Sequence, residues 1–291
     1  MAELVASRVR APKEGSRNRT SNRRRRAIAL ATVLGAVLLA ALVAGLTMPP
    51  ELYASNYSQK QLAPSAAHWF GTDYLGHDMF CFSIRGLSLS IVIGLFASAI
   101  SGFLALILGS ISAIFGGAVD KIILWLADLF MSIPHMVMLL LISFAVGGGT
   151  FGVTLAVALT HWPSLTRVIR AEVLRIRTGE FVAASRAIGK GNLWIAWHHV
   201  VPNVLPQFIV GTILLFPHAI LHESALTFLG FGLPLDSPAI GAILSSSMKY
   251  LATGSWWLAL FPGLIMVVIV LLAFTLGDEI KKLTDPHTVQ E

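Results

Sequence analysis

The chain has 291 residues, of which 55% are hydrophobic and only 12% charged, with a mean hydropathy of +0.75. This excludes an ordinary soluble globular protein and points to a membrane protein. The formal charge of +6 raises nucleic acid as a partner, but the position of that charge argues against it: nine of the 21 basic residues lie in the first 26 positions, ending in Arg23 to Arg26, directly before a membrane-length apolar run.

Residues 1–26 therefore read as a basic cytoplasmic arm. Residues 27–46 carry no charge and, as a helix, reach about 30 Å, the thickness of the hydrocarbon core. A cleaved signal peptide has a shorter apolar region, of about 7–15 residues, so the run is expected to be a retained first transmembrane helix. Residues 47–87 form an extracytoplasmic segment with Pro49, Pro50 and Pro64 and the aromatic residues Tyr53, Tyr57, Trp69, Phe70 and Tyr74, a composition suited to a partly ordered cap that docks on the membrane domain. A core domain follows over residues 88–286, with a short tail at 287–291.

Within that core, apolar stretches recur at Leu89–Phe115, Ile122–Val146, Phe151–Ile169, Gln207–Gly230 and Leu258–Gly277, giving six expected transmembrane helices in all. Alternation puts both termini on one side. With the arm in the cytoplasm, 18 basic residues lie inside and only Lys60, Arg85 and Lys249 outside, so the positive-inside rule selects an N-in, C-in topology. The expected class is thus an all-α polytopic membrane protein, and the basic arm needs no nucleic acid. Between the spans, residues 171–203 form a basic inner segment, helix-compatible from Ala171 to Ile188, broken at Gly189 and Gly191 and stopped by Pro202. A shorter outer loop covers Phe231 to Trp257.

Catalytic signatures are missing. Gly71 to Gly76 has phosphate-loop spacing, but His77 and Asp78 replace the lysine and hydroxyl residue, so the cationic phosphate contact is absent. His222 and Glu223 begin a zinc-protease signature, yet Leu226 stands at the second histidine position. The single cysteine, Cys81, leaves redox compartment unread. No tightly bound cofactor is expected, and work done on ATP requires a separate subunit.

The segment EFVAASRAIGKGNLWIAWHHVVPN at 180–203 resembles the cytoplasmic coupling motif of ABC importer permeases, with Ala183, Ala184 and Ser185 as its small triplet and Arg186, Gly189 and Pro202 in the matching places. Ala183 stands where the family carries glutamate, and Glu180 lies three residues earlier. HWFGTDYLGHDMF at 68–80, with His77 where arginine is usual, GGAVDKIILWLADLFMSIP at 116–134, ESALTFLGFGLP at 223–234 and LGDEIKKLTDP at 276–286 resemble the C-type permeases of dipeptide, oligopeptide and nickel importers. That resemblance implies a type I importer permease fold in a prokaryotic inner membrane. It implies as partners a second, B-type permease, two ATP-binding subunits that hold ATP and Mg, and an extracytoplasmic substrate-binding protein. A short helix near Phe181–Ile188, ended at Gly189, would serve as the lever between ATPase and pore.

Four histidines lie in or near the spans: His135, His161, His218 and His222. His218 and His222, at i and i+4, share a helical face about 5–6 Å apart and are the expected metal ligands, imidazole being suited to nickel and its neighbours. Pro217 before them is expected to kink the helix. PHAILHESALTFLGFG at 217–232 and His161 with Trp162 resemble the nickel branch, which implies nickel, free or as a small chelate, as transported substrate, with His161 and Glu223 also on the path. Glu223 projects about 100° from His222 and is expected to meet a neighbouring span. A di- or oligopeptide importer and a stand-alone channel are the alternatives.

Overall fold

The computed structural model describes residues 14–284 and is helical throughout; among the described residues no strand forms beyond an isolated bridge between Thr72 and Asp78. Helix α1 (Glu14–Thr47) leads into a segment of turns, followed by α2 (Met79–Phe115), α3 (Gly117–Ser132), α4 (His135–Ala145), α5 (Gly149–Thr160), α6 (Trp162–Arg177) and α7 (Glu180–Ala187). The short α8 (Asn192–Ile195) runs through a π turn (Ala196–Val200) into α9 (Val201–Phe228), and α10 (Ile240–Leu251) and α11 (Trp257–Thr284) complete the chain.

Against the six expected spans, four helices among the described residues are long and apolar enough to cross a membrane: Arg25–Thr47, Met79–Phe115, Ala196–Phe228 and Trp257–Leu283. The stretch expected as one span over Ile122–Val146 is α3 and α4, which meet at 99° and make a fifth only if counted together. The cause is local. Ile133 precedes proline and is held extended (φ −85°, ψ 136°), and Pro134 then opens α4. The stretch expected over Phe151–Ile169 is likewise divided at His161, two residues before Pro163, into the 12-residue α5 and the amphipathic α6.

Helix α2 is the axis. It offers small residues along its length, and the close approaches this permits hold the bundle in the absence of a hydrophobic drive between helices in lipid. A side chain at Gly109 would strike the Thr166 carbonyl at 2.7 Å, so α6 sits at backbone contact distance from α2, and one at Gly94 would strike the Ile220 side chain at 2.8 Å, so α9 packs its side chains directly on the α2 backbone. One core joins α2, α9, α10 and α11 through Leu87, Ile91, Phe216, Ile220, Ile240 and Ile269. Another, under the inner segment, gathers Trp162, Ile169, Val173, Val182 and Val204.

Ion pairs fasten α6 at the same end. Arg170 makes two bonds of 2.6 Å to Asp120, which also accepts from Ser112. Arg167 pairs with Asp128, and Arg177 donates to the carbonyls of Ala113 and Ile114 at the end of α2, where a cation complements exposed helix carbonyls. Three of the six basic residues between Arg167 and Lys190 are therefore tied to α2 and α3. The segment before α2 docks as expected of a cap: Phe70 stacks on Phe261 at 4.5 Å and Tyr74 on Tyr250 at 5.1 Å, and the Thr72 hydroxyl accepts from Leu62 N–H and donates to the Gln59 carbonyl.

Candidate functional site

Two places carry the sequence-singled residues. The first is α7. Val182 is fully buried and Ser185 nearly so, at i and i+3, while Ala183, Ala184, Arg186 and Ile188 face outward. Ser185 Oγ meets His199 Nε2 at 2.8 Å, and the His199 ring lies edge to face with Phe181 at 5.3 Å. The helix ends in a Schellman motif: Lys190 N–H donates to the Ser185 carbonyl and Gly189 N–H to that of Arg186, with Gly189 at φ +80°. A residue with a Cβ is strained in that conformation. Pro202 does not stop the helix as expected: it is the second residue of α9, which continues without a break from the π turn at Ala196–Val200. The expected helix at Phe181–Ile188 thus lies one residue earlier, with Glu180 exposed at its start.

The second place is a cavity of about 550 Å³ bordered by the α3–α4 break, the α5–α6 break and α9. His135, His161, His218 and His222 all line it. Their grouping differs from the i, i+4 pairing read along the helix. One ring nitrogen from each of His135, His161 and His222 lies within 4.8 Å of those of the other two, and the three ring centres are 4.5 to 5.1 Å apart. His218 is exposed to the cavity, bonds the Leu214 carbonyl through Nδ1 at 2.9 Å and sets its ring edge to face against Phe274.

A proline stands close in sequence to each of the three grouped rings. His135 follows Pro134 at the start of α4, His161 caps α5 just ahead of Pro163, and His222 follows Pro217 by five residues inside α9. His161 Nδ1 is 2.8 Å from the Val157 carbonyl, so it carries the proton and leaves Nε2 as the lone-pair nitrogen. His135 Nε2, His161 Nε2 and His222 Nδ1 are buried without a hydrogen-bond partner.

Glu223 turns away from this cavity, as its place on the helix requires. It is fully buried, accepts from Thr227 Oγ1 at 3.0 Å and Ser224 Oγ at 3.2 Å, and through Thr227 is linked to the Leu233 N–H. His135 and His161 are the members of the trio that the i, i+4 rule could not find. The signal they did give is a histidine adjoining a proline within an apolar stretch, a pattern shared by Pro134–His135, His161–Pro163 and Pro217–His218.

Comparison with known proteins identifies the setting. Residues 105–289 match the family described as binding-protein-dependent transport system inner membrane component. A dipeptide transport system permease protein of Alkalihalophilus pseudofirmus is 32% identical over 259 residues, covering 87% of this chain and 85% of that one. An oligopeptide transport system permease protein of Bacillus subtilis is 31% identical over 250 residues, covering 86% and 82%. The fold is that of a chain in inward-facing structures of the MetNI methionine ABC transporter, with a TM-score of 0.57 at 19% identity, covering 71% of this chain and 98% of that one. The chain therefore belongs to the binding-protein-dependent transport family, as a multi-pass inner-membrane permease subunit of an ABC importer.

Proposed function

We propose that this subunit forms half of the translocation pathway of an importer for di- or oligopeptides or close analogues. The carrying observation is that relatives matched over more than four-fifths of both chains are named for dipeptide and oligopeptide transport. A cavity of about 550 Å³ at the breaks of two helices lies within the usual range for small-molecule sites, about 300–1,000 Å³. The N-in, C-in orientation read from the basic residues puts α7 on the cytoplasmic side, where Ala183, Ala184, Arg186 and Glu180 face the ATP-binding subunits. A second permease, two ATPases and a binding protein complete the machine.

The nickel reading moves to second place. The relatives favour peptides, while the histidines of the cavity favour a metal or its chelate. Uptake into proteoliposomes containing the whole importer and its binding protein separates the two. ATP-dependent accumulation of a labelled dipeptide is expected; accumulation of free Ni²⁺ with no peptide uptake overturns the peptide reading. Replacing His218 and His222 together by alanine is expected to abolish any metal uptake while leaving assembly intact. Copurification of two ATP-binding subunits excludes a stand-alone channel.

A further inference from the structure

We propose that His135, His161 and His222 form a three-nitrogen site for a borderline divalent transition ion, open on one side to the cavity, so that the importer's cargo includes the metal complex of a peptide-like chelator. The inference rests on the peptide-importer reading above and adds to it a substrate class.

Three observations carry it. The rings come from three separate elements, α4, the α5–α6 junction and α9, yet one nitrogen of each falls within 4.8 Å of the others. The nitrogens left without partners are His135 Nε2, His161 Nε2 and His222 Nδ1, all buried. Buried polar atoms are nearly always bonded, and leaving one unpaired on each of three neighbouring rings is costly unless a ligand completes them. Finally, His161 is already held as a ligand is held, its Nδ1 fixed on the Val157 carbonyl at 2.8 Å so that the free nitrogen faces away from its own helix.

The geometry needs one adjustment. Three nitrogens bound to one ion at about 2.0–2.1 Å stand about 3.4 Å apart in tetrahedral arrangement. The present spread, up to 4.8 Å, closes by rotation of rings seated at two helix breaks. The donor set selects the ion. Three imidazoles and no carboxylate suit Zn²⁺, Ni²⁺, Co²⁺ and Cu²⁺ and disfavour Mg²⁺ and Ca²⁺, which require oxygen ligands. Glu223, the nearest acid in sequence, is committed to Thr227 and Ser224. Three protein ligands leave a fourth position, as in metal sites that exchange a ligand. A cavity of about 550 Å³ beside that position accommodates a small chelator supplying oxygen and nitrogen donors from a carboxylate, amine or amide.

The test uses the intact importer complex in lipid nanodiscs, purified through a tag free of histidine, stripped with chelator and titrated with Co²⁺. Wild-type complex is expected to develop the ligand-field absorption of four- or five-coordinate cobalt. His135→Ala, His161→Ala and His222→Ala are each expected to weaken binding about tenfold or more, in complexes that still assemble. His198→Ala, a histidine outside the cavity, is expected to leave the titration unchanged. Absence of the absorption in wild type, or its persistence in all three variants, overturns the site. If that happens while labelled dipeptide is still taken up, only the site has failed. If cobalt binds as expected but neither peptide nor its cobalt complex is accumulated, the site stands and the peptide-importer reading has failed.

Discussion

Ser185 on α7 and His199 on the π turn face each other at 2.8 Å, Oγ to Nε2, across 14 residues of chain. The π turn runs straight into α9, the helix that carries His222, so a displacement of α7 has a direct mechanical route to the cavity. Replacing Ser185 by alanine removes this bond, at a cost of about 0.5–1.5 kcal/mol. The expected outcome is a complex that still binds its ATPases but shows weaker stimulation of ATP hydrolysis by loaded binding protein. Unchanged stimulation means that Val182 alone seats the helix.

Gly189 tests the rigidity of that lever. At φ +80°, with open space where a Cβ would go, Gly189→Ala meets no clash and suffers only the backbone penalty of about 1–2 kcal/mol. Gly189→Pro is worse, because it also removes the N–H that bonds the Arg186 carbonyl and forbids the positive φ. Uptake is expected to fall modestly for alanine and to be lost for proline, with ATPase binding or stimulation lost alongside; a proline variant that retains both contradicts the lever.

Asp120 and Arg170 form the strongest polar tie between α3 and α6, two bonds of 2.6 Å with both side chains largely covered. Deleting one partner leaves the other charged and unpaired. Asp120→Ala is expected to lower stability by about 1.5–3 kcal/mol, read as a lower unfolding temperature in detergent, and Arg170→Lys, which cannot reproduce the fork, to recover only part of it.

Glu223 separates positioning from transport chemistry. Its carboxylate is bonded by Thr227 and Ser224 and lies outside the cavity. Glu223→Gln keeps one acceptor oxygen and turns an amide N–H donor toward the other hydroxyl, which can reverse its role and accept, so uptake is expected to stay close to wild type with at most a small loss of stability. Glu223→Ala strands two buried hydroxyls and is expected to cost about 1–3 kcal/mol. A glutamine variant that folds well but does not transport gives the acid a place on the path.

Helix positions were legible where punctuation was strong. The coupling helix, expected at Phe181–Ile188, spans Glu180–Ala187, because Gly189, at positive φ, marks its end. The span from Ile122 to Val146 was not legible as two elements. Hydropathy sums the apolar residues on either side of Ile133 and Pro134 but carries no direction, and the 99° turn is a matter of two dihedral pairs. The histidine trio was half legible. The i, i+4 rule sees only neighbours on one helix, so it pairs His222 with His218, whereas the folded chain brings in His135 and His161 from 87 and 61 positions away. Only packing of α9 against both helix breaks makes that contact.

Helix α1 is attached to the rest of the molecule along a narrow seam. Only 6% of its apolar window is buried, and the covered positions, Ala27, Leu34, Leu38 and Gly45, fall on one stripe, with Gly45 so close to Ser88 that an added Cβ would lie 2.5 Å from it. Most of the remaining positions are exposed, and the uncharged run 27–46, about 30 Å long, equals the hydrocarbon core, so a thinner bilayer leaves it too long. A helix longer than its bilayer relieves the mismatch by tilting. A tilt of α1 about the Gly45–Ser88 contact is the adjustment by which the first helix can meet a thinner membrane without disturbing the packing of α2 on α9.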